Sequence, residues 1–295
     1  MSHIILCNTG SDSLSKIDTK SLKLESIYLS IGEAPFGPHG ISVYKNKVMI
    51  ANNYNNSISI IDLLKFNEEK NIYIGAHPND LVVNDNTAYV LCGESRSVIT
   101  YDLLEEKINF RIPVGLFPHS VEISPEKKLL FISNMGEDSI SVIDLDVNEE
   151  ITRIKVGESP VKIKISNNKK IVYVCSSYIG CDRLGYIDFI SLNTLEIIRR
   201  IKVGLGPVDL FEDNNKLYVS NFIEGSISII DLQNFTEEEK INVEGMPRGI
   251  IVSYKKIFVG DYLNGKLKIV NLDNRKIKVI DIGIEPNAMT LINND

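Results

Sequence analysis

Seven prolines recur along the chain at a near-constant interval, and this repeat constrains the fold more than any other feature. Pro38, Pro78, Pro118, Pro160, Pro207, Pro247 and Pro286 are separated by 40, 40, 42, 47, 40 and 39 residues. A second marker runs in step with them. Asn8, Asn52, Cys92, Asn134, Asn221 and Asp261 each lie ten residues before Asp18, Asp62, Asp102, Asp144, Asp231 and Asn271. In the remaining copy the corresponding residues are Ser176 and Ser191, spread apart by a five-residue insertion. Whole segments repeat too, as in FISNMGEDSISVIDL from Phe131 and LYVSNFIEGSISIIDL from Leu217. Seven copies of about 42 residues account for all 295.

Each copy holds four short apolar runs rich in Ile, Val, Tyr and Phe, separated by Gly, Asn, Asp, Pro and Ser. That alternation is the signature of strands and turns. No stretch sustains the i, i+3, i+4, i+7 spacing of a helix of about ten residues. The acidic stretches Asn67–Lys70, Glu105–Lys107 and Glu237–Lys240 fall between the third and fourth runs and are expected to be solvated turns. Four-stranded units of about 40–45 residues predict an all-β, seven-bladed β-propeller with four antiparallel strands per blade. A single domain over residues 1–295 is expected. The first run, His3–Cys7, reads as the second strand of a unit, and the last, Asn287–Asn293, as a first strand. The N-terminal strands should therefore pair with the C-terminal strand and close the ring, removing two free sheet edges.

With 43% hydrophobic and 24% charged residues, the composition is that of an ordinary globular protein. No apolar run approaches the roughly 18 residues of a membrane-spanning helix. The start of the chain, MSHIILCNTGSD, lacks the basic and apolar regions of a secretion signal. A net charge of −7 and the lack of any Lys/Arg block argue against nucleic acid as a partner. Cys7, Cys92, Cys175 and Cys181 show no zinc-type spacing. The first three lie in or just beyond apolar runs and are expected to pack as small hydrophobes. Cys181, in a loop six residues after Cys175, leaves a local disulfide open. A cytoplasmic monomer is the expectation, with a bacterial coat or cell surface as the alternative location.

The chain has no Trp, which excludes the WD type of propeller repeat. YVSN at Tyr218–Asn221, SISIID at Ser226–Asp231, and the Val-Gly-x-x-Pro runs Val114–Pro118 and Val156–Pro160 resemble the YVTN repeat family, close to the YncE-like proteins. The resemblance spans essentially the whole chain. It implies the seven-bladed fold and little about activity: most such proteins have no defined activity, some related propellers are lactonases or lyases, and others bind partners at the cell surface. The markers themselves have structural readings. Asn134 and its equivalents are expected to enter left-handed conformations and bond the following loop, Asp144 and its equivalents to hold the turn after the third strand, and each Pro to start an innermost strand.

A site should lie where the copies differ. After each Pro stand His39, Asn79, His119, Val161, Val208, Arg248 and Asn287, and then Gly40, Asp80, Ser120, Lys162, Asp209, Gly249 and Ala288. These positions predict a polar ring at the mouth of the central channel, with His77 close by. His39, Asn79, Asp80, His119, Asp209 and Arg248 are the candidate ligand-binding residues. His39 and His119, joined by Asp80 and Asp209, would hold a divalent metal, or Arg248 a small anion. Ser120 beside His119 is not expected to form a catalytic pair, since neighbouring strand residues face opposite ways. The longest copy adds the loop Cys175–Tyr186, where Tyr178, Asp182 and Arg183 are suited to recognition. Phe36, in the extended segment Ala34–Gly40, is expected to cover part of the channel.

Motifs such as GxSxG, HExxH, the phosphate-binding loop and GxGxxG are missing. Polar residues also gather at wet channel mouths without any ligand. The main expectation is thus a non-catalytic module binding a protein partner or small ligand at the rim. A metal-dependent enzyme of lactonase or lyase type is the alternative, and a structural protein of a coat or surface layer is a further one.

Overall fold

A computed structural model describes residues 2–29, 34–178, 180 and 182–293. Seven four-stranded antiparallel sheets are arranged as the blades of a propeller. Six blades are continuous in sequence. The seventh pairs the N-terminal strand Ser2–Asn8 with Ser13–Asp18 on one side and with the C-terminal strand Pro286–Asn293 on the other. Apart from two three-residue 3-10 turns, Thr9–Ser11 and Pro125–Lys127, the described residues contain no helix. None is therefore long and apolar enough to cross a membrane.

Every innermost strand begins at a marker proline, as in Pro38–Tyr44, Pro78–Asn84 and Pro118–Ser124. The missing N–H costs nothing there, because the ladder does not need it. The core lies between blades. Met49, Ala51 and Ile58 of one blade pack against Leu81, Ala88 and Val90 of the next. Phe36 is fully buried in such a cluster with Ile5, Leu29 and Val48, so it fills an interblade core and does not cover the channel. Cys7, Cys92 and Cys175 are buried free thiols; Cys181 lies outside the described residues.

The acidic stretches belong to strands more than to turns. Asn67–Lys70 opens the outer strand Asn67–Tyr73, and Glu237–Lys240 lies within Thr236–Asn242. Most residues of these two outer strands are exposed and polar, and only Ile72 and Ile241 near their ends are drawn inward, so little apolar alternation marks them.

The second marker is a side-chain clasp. Asn134 ends the strand Leu129–Asn134 in extended conformation, and its Nδ2 donates to Ser139 and Ser141 on the next strand at 3.2 and 2.9 Å. Asn8, Asn52 and Asn221 make the same pair of bonds. Left-handed backbone occurs four residues further on, at Asp12, Asn56, Arg96, Asp138, Gly225 and Gly265. The Asp marker behaves as expected: Asp62 Oδ1 accepts the N–H of Leu64 and Lys65 and holds the turn. Two blades carry charged versions of the clasp. In one, Asp261 pairs with Lys268 at 2.7 Å. In the other, the buried Asp188 accepts from Ser176 Oγ and Gly157 N and pairs with Arg200 Nε at 2.5 Å.

Candidate functional site

The innermost strands converge at one end of the channel on a small cavity lined among others by His39, Asp80, His119, Lys162, Asp209 and Arg248. Five of the six were expected at the rim; Lys162 was in the same ring but unassigned. The reason so many face inward is a β-bulge repeated at the start of the innermost strands, where the register shifts between Pro38 and Gly40, Pro78 and Asp80, and Pro118 and Ser120. A bulge breaks the two-residue alternation. His119 and Ser120 therefore both line the cavity, contrary to the strand-alternation expectation. They still form no catalytic pair, because Ser120 Oγ donates to Asp80 Oδ2 at 3.0 Å.

Most of the polar ring is tied to the next blade. His39 Nδ1 bonds the carbonyl of Asn79 and His119 Nδ1 that of Val161, each at 2.7 Å. Asn79 Nδ2 donates to Pro118 O, and Arg248 Nε to Asn287 Oδ1 at 2.8 Å. Asp80 Oδ2 accepts from Val121 N and Asp209 Oδ2 from Ile250 N. Both carboxylates are thereby committed to holding neighbouring innermost strands. Gly40 is needed for this convergence, since a Cβ there would lie 2.6 Å from Asp80 Cα.

A carbonyl can only accept, so each imidazole carries its proton on Nδ1 and presents Nε2 as an acceptor. His39 Nε2 accepts from Arg248 Nη2 at 3.3 Å. His119 Nε2 has no hydrogen-bond partner among the described residues. Burial, reinforced by the positive charge of Arg248, pushes the His119 pKa down to about 4. The same two causes, with His119 adding to them, hold His39 well below the ordinary range. Both rings are neutral at pH 7.

Two cations complete the cavity. Lys162 approaches Asp80 Oδ2 at 3.5 Å. Burial works against its charge, but Asp80, Asp209 and Glu122 outweigh that and raise its pKa. Arg248 is different. Its partners are Asn287, His39 and the ring of Tyr262, whose centroid lies 5.5 Å from the guanidinium, and none is a carboxylate. Desolvation consequently lowers its pKa.

These residues do not suit a divalent cation. The lone pair of His39 is occupied by Arg248, the two carboxylates are engaged, and two fixed positive charges sit in the cavity. Among the described residues no group of three or more His, Cys, Asp or Glu is gathered to hold a metal. Tyr178 and Arg183 do not line the cavity; the Tyr178 ring lies tilted against Tyr186 with centroids 5.8 Å apart, and Arg183 stands exposed, 3.8 Å from Glu158.

The family model described as a seven-bladed β-propeller lactonase matches residues 115–283, more than half of the chain and the stretch containing His119, Lys162, Asp209 and Arg248. Among solved structures, a protein of Bacteroides fragilis put forward as a 6-phosphogluconolactonase is 18% identical with a TM-score of 0.77, covering 99% of this chain and 98% of its own. A functionally unknown protein of Desulfotomaculum acetoxidans is 13% identical with a TM-score of 0.81, covering 99% of both chains. Hydrazine synthase of Kuenenia stuttgartiensis is 16% identical with a TM-score of 0.76, covering 90% of this chain and 97% of its own. At these identities the likeness is one of fold. No curated protein matches the sequence.

Proposed function

The chain belongs to the seven-bladed β-propeller lactonase family, and from that premise we propose that it hydrolyses a lactone at the channel mouth without a metal. The observation that carries this reading is the Arg248 guanidinium, held in the channel with no carboxylate partner among the described residues, in the same cavity as the neutral imidazole of His119. A cation held in this way is stabilised by an incoming negative charge. It is suited to the oxyanion that forms when water attacks a lactone carbonyl.

In this reading His119 Nε2 takes a proton from the water as its oxygen bonds to the carbonyl carbon. The ring C–O bond then breaks, and the imidazolium returns the proton to the departing alkoxide. The products are a hydroxyl group and a carboxylic acid, which releases the second proton of the water to solvent and leaves as the carboxylate. Charge coupling helps the transfer. An oxyanion beside Arg248 offsets the repulsion that depresses His119, so the imidazole becomes a stronger base as the proton moves. The family match and the lactonase-type neighbour favour this reading over a non-catalytic binding module.

The test is hydrolysis of a panel of γ- and δ-lactones by the purified protein. His119→Gln should lower kcat by about 100-fold or more. Exhaustive chelation should leave turnover unchanged, and restoration of activity only on adding a divalent metal would return the site to the metal-dependent alternative.

The pH dependence follows from the depressed imidazoles. kcat/KM should rise through about pH 4 and stay flat through neutrality, because the neutral His119 is the active form. Stability moves in the same direction. The unfolded chain binds the His119 proton near its usual pKa of about 6.5 and the folded chain only near 4. Folding stability is therefore complete above about pH 6.5 and falls as the pH drops from there toward 4. Melting curves across that range check the sign, and His119→Gln should reduce the slope, leaving the share that the depressed His39 contributes.

A further inference from the structure

Beside the channel mouth a second, larger depression, open to solvent, runs between two adjacent blades. His119 lines both cavities, so the two meet at its ring. Its wall carries Phe117, Pro118 and Met135, with His77 opposite and Glu94 and Arg96 at its exposed edge. Phe117 is 67% exposed, an unusual position for a Phe next to a polar cavity.

The wall is built. The Phe117 ring lies over Gly136, where a Cβ would come within 2.6 Å of it. His77 is fixed through its main-chain N–H to Asn56 Oδ1 at 2.9 Å and through its ring to Asn53 at 3.2 Å. Gly93 leaves space on the floor, since a Cβ there would meet Asn79 Nδ2 at 2.7 Å.

We propose that this groove is the tail subsite of the lactone site, taking an alkyl or aryl substituent while the lactone ring sits between His119 and Arg248. The inference rests on the lactonase reading and adds the class of substrate, an amphiphilic lactone with an uncharged apolar side chain. Three observations favour such a tail over a phosphorylated or sugar-like one. The apolar surface is contributed by a seated, exposed aromatic ring and a methionine. The only charges, Glu94 and Arg96, are of opposite sign and stand at the edge, so the groove has no net attraction for an anion. His119, which would take the proton of the attacking water, also lines the groove.

The experiment uses two parallel ligand series. The first is the ring-opened hydroxycarboxylates of γ-lactones bearing substituents from methyl to octyl, with binding measured by calorimetry. The second is the corresponding lactones, with turnover measured. In the wild type, affinity should increase about two- to fourfold for each added methylene until the groove is filled. Phe117→Asn should flatten that slope; Asn suits the left-handed backbone at this position (φ 47°). Met135→Ser gives a second reading on an element outside that turn. A wild-type series without chain dependence overturns the subsite, as does a slope that persists in both variants. Chain-dependent binding with no hydrolysis of any lactone would overturn the catalytic reading and leave the groove standing. Hydrolysis without chain dependence would do the reverse.

Discussion

Replacing Arg248 with Met should lower kcat/KM for lactone hydrolysis by about 100- to 1000-fold while the melting temperature stays close to that of the wild type. The size is that of removing one preorganised oxyanion donor from an enclosed site. The separation of activity from stability follows from the surroundings of Arg248. Among the described residues it has no carboxylate partner, and its bonds to Asn287 and His39 are made within the part-buried channel. A guanidinium held in low dielectric without a counter-charge adds little to folding, and an apolar side chain of similar length fills the same space. Arg248→Lys should recover part of the rate, since an ammonium restores the charge but not the planar fork. Turnover and thermal melting of the three proteins decide the matter. A fall in both quantities together would make Arg248 a strut of the ring and remove the main support for the oxyanion site.

The largest loss of stability is expected at Arg200, far from any chemistry. Asp188 is fully buried, and among the described residues Arg200 is its only charged partner. Arg200→Met leaves that carboxylate with two neutral donors, Ser176 Oγ and Gly157 N–H. Stranding a buried charge costs about 3–5 kcal/mol, which corresponds to a drop of roughly 6 °C or more in Tm for a chain of this size. The other blades suggest the remedy. Ser176→Asn with Asp188→Ser writes the Asn–Ser clasp of Asn134 and Ser141 into this blade. In that background Arg200→Met should cost less than about 1 kcal/mol, because an exposed Arg facing a serine contributes little. Equal costs in both backgrounds would mean that Arg200 acts through packing, independent of Asp188.

The clasp was already legible in the spacing. Its two ends lie seven residues apart and change type together: Asn52 with Ser59, Cys92 with Ile99, Asn134 with Ser141, Asp261 with Lys268. Polar pairs stay polar, the apolar pair is apolar, and the charged pair is complementary. Read as side chains facing across a hairpin, these pairs would have given the bonds directly. The expectation of left-handed asparagines instead treated each marker as an isolated turn residue.

The sequence by itself determined the ring. Seven prolines and four apolar runs per copy dictate blade number, strand count and the joining of the two ends, because hydrophobic patterning and turn chemistry are local and each copy restates them. It also named His39, Asp80, His119, Asp209 and Arg248 as neighbours, since equivalent positions in a closed ring must meet around one axis. What each residue does there was decided only by tertiary structure. A bulge against the neighbouring strand turns His119 and Ser120 inward together, while the bonds that commit Asp80 and Asp209 to the next blade and the contact of Arg248 with His39 join residues 41 to 209 positions apart. Such contacts depend on distances of a few tenths of an ångström between blades. That geometry turns a set of residues that reads as metal ligands into a pocket with neutral imidazoles and an unpartnered cation.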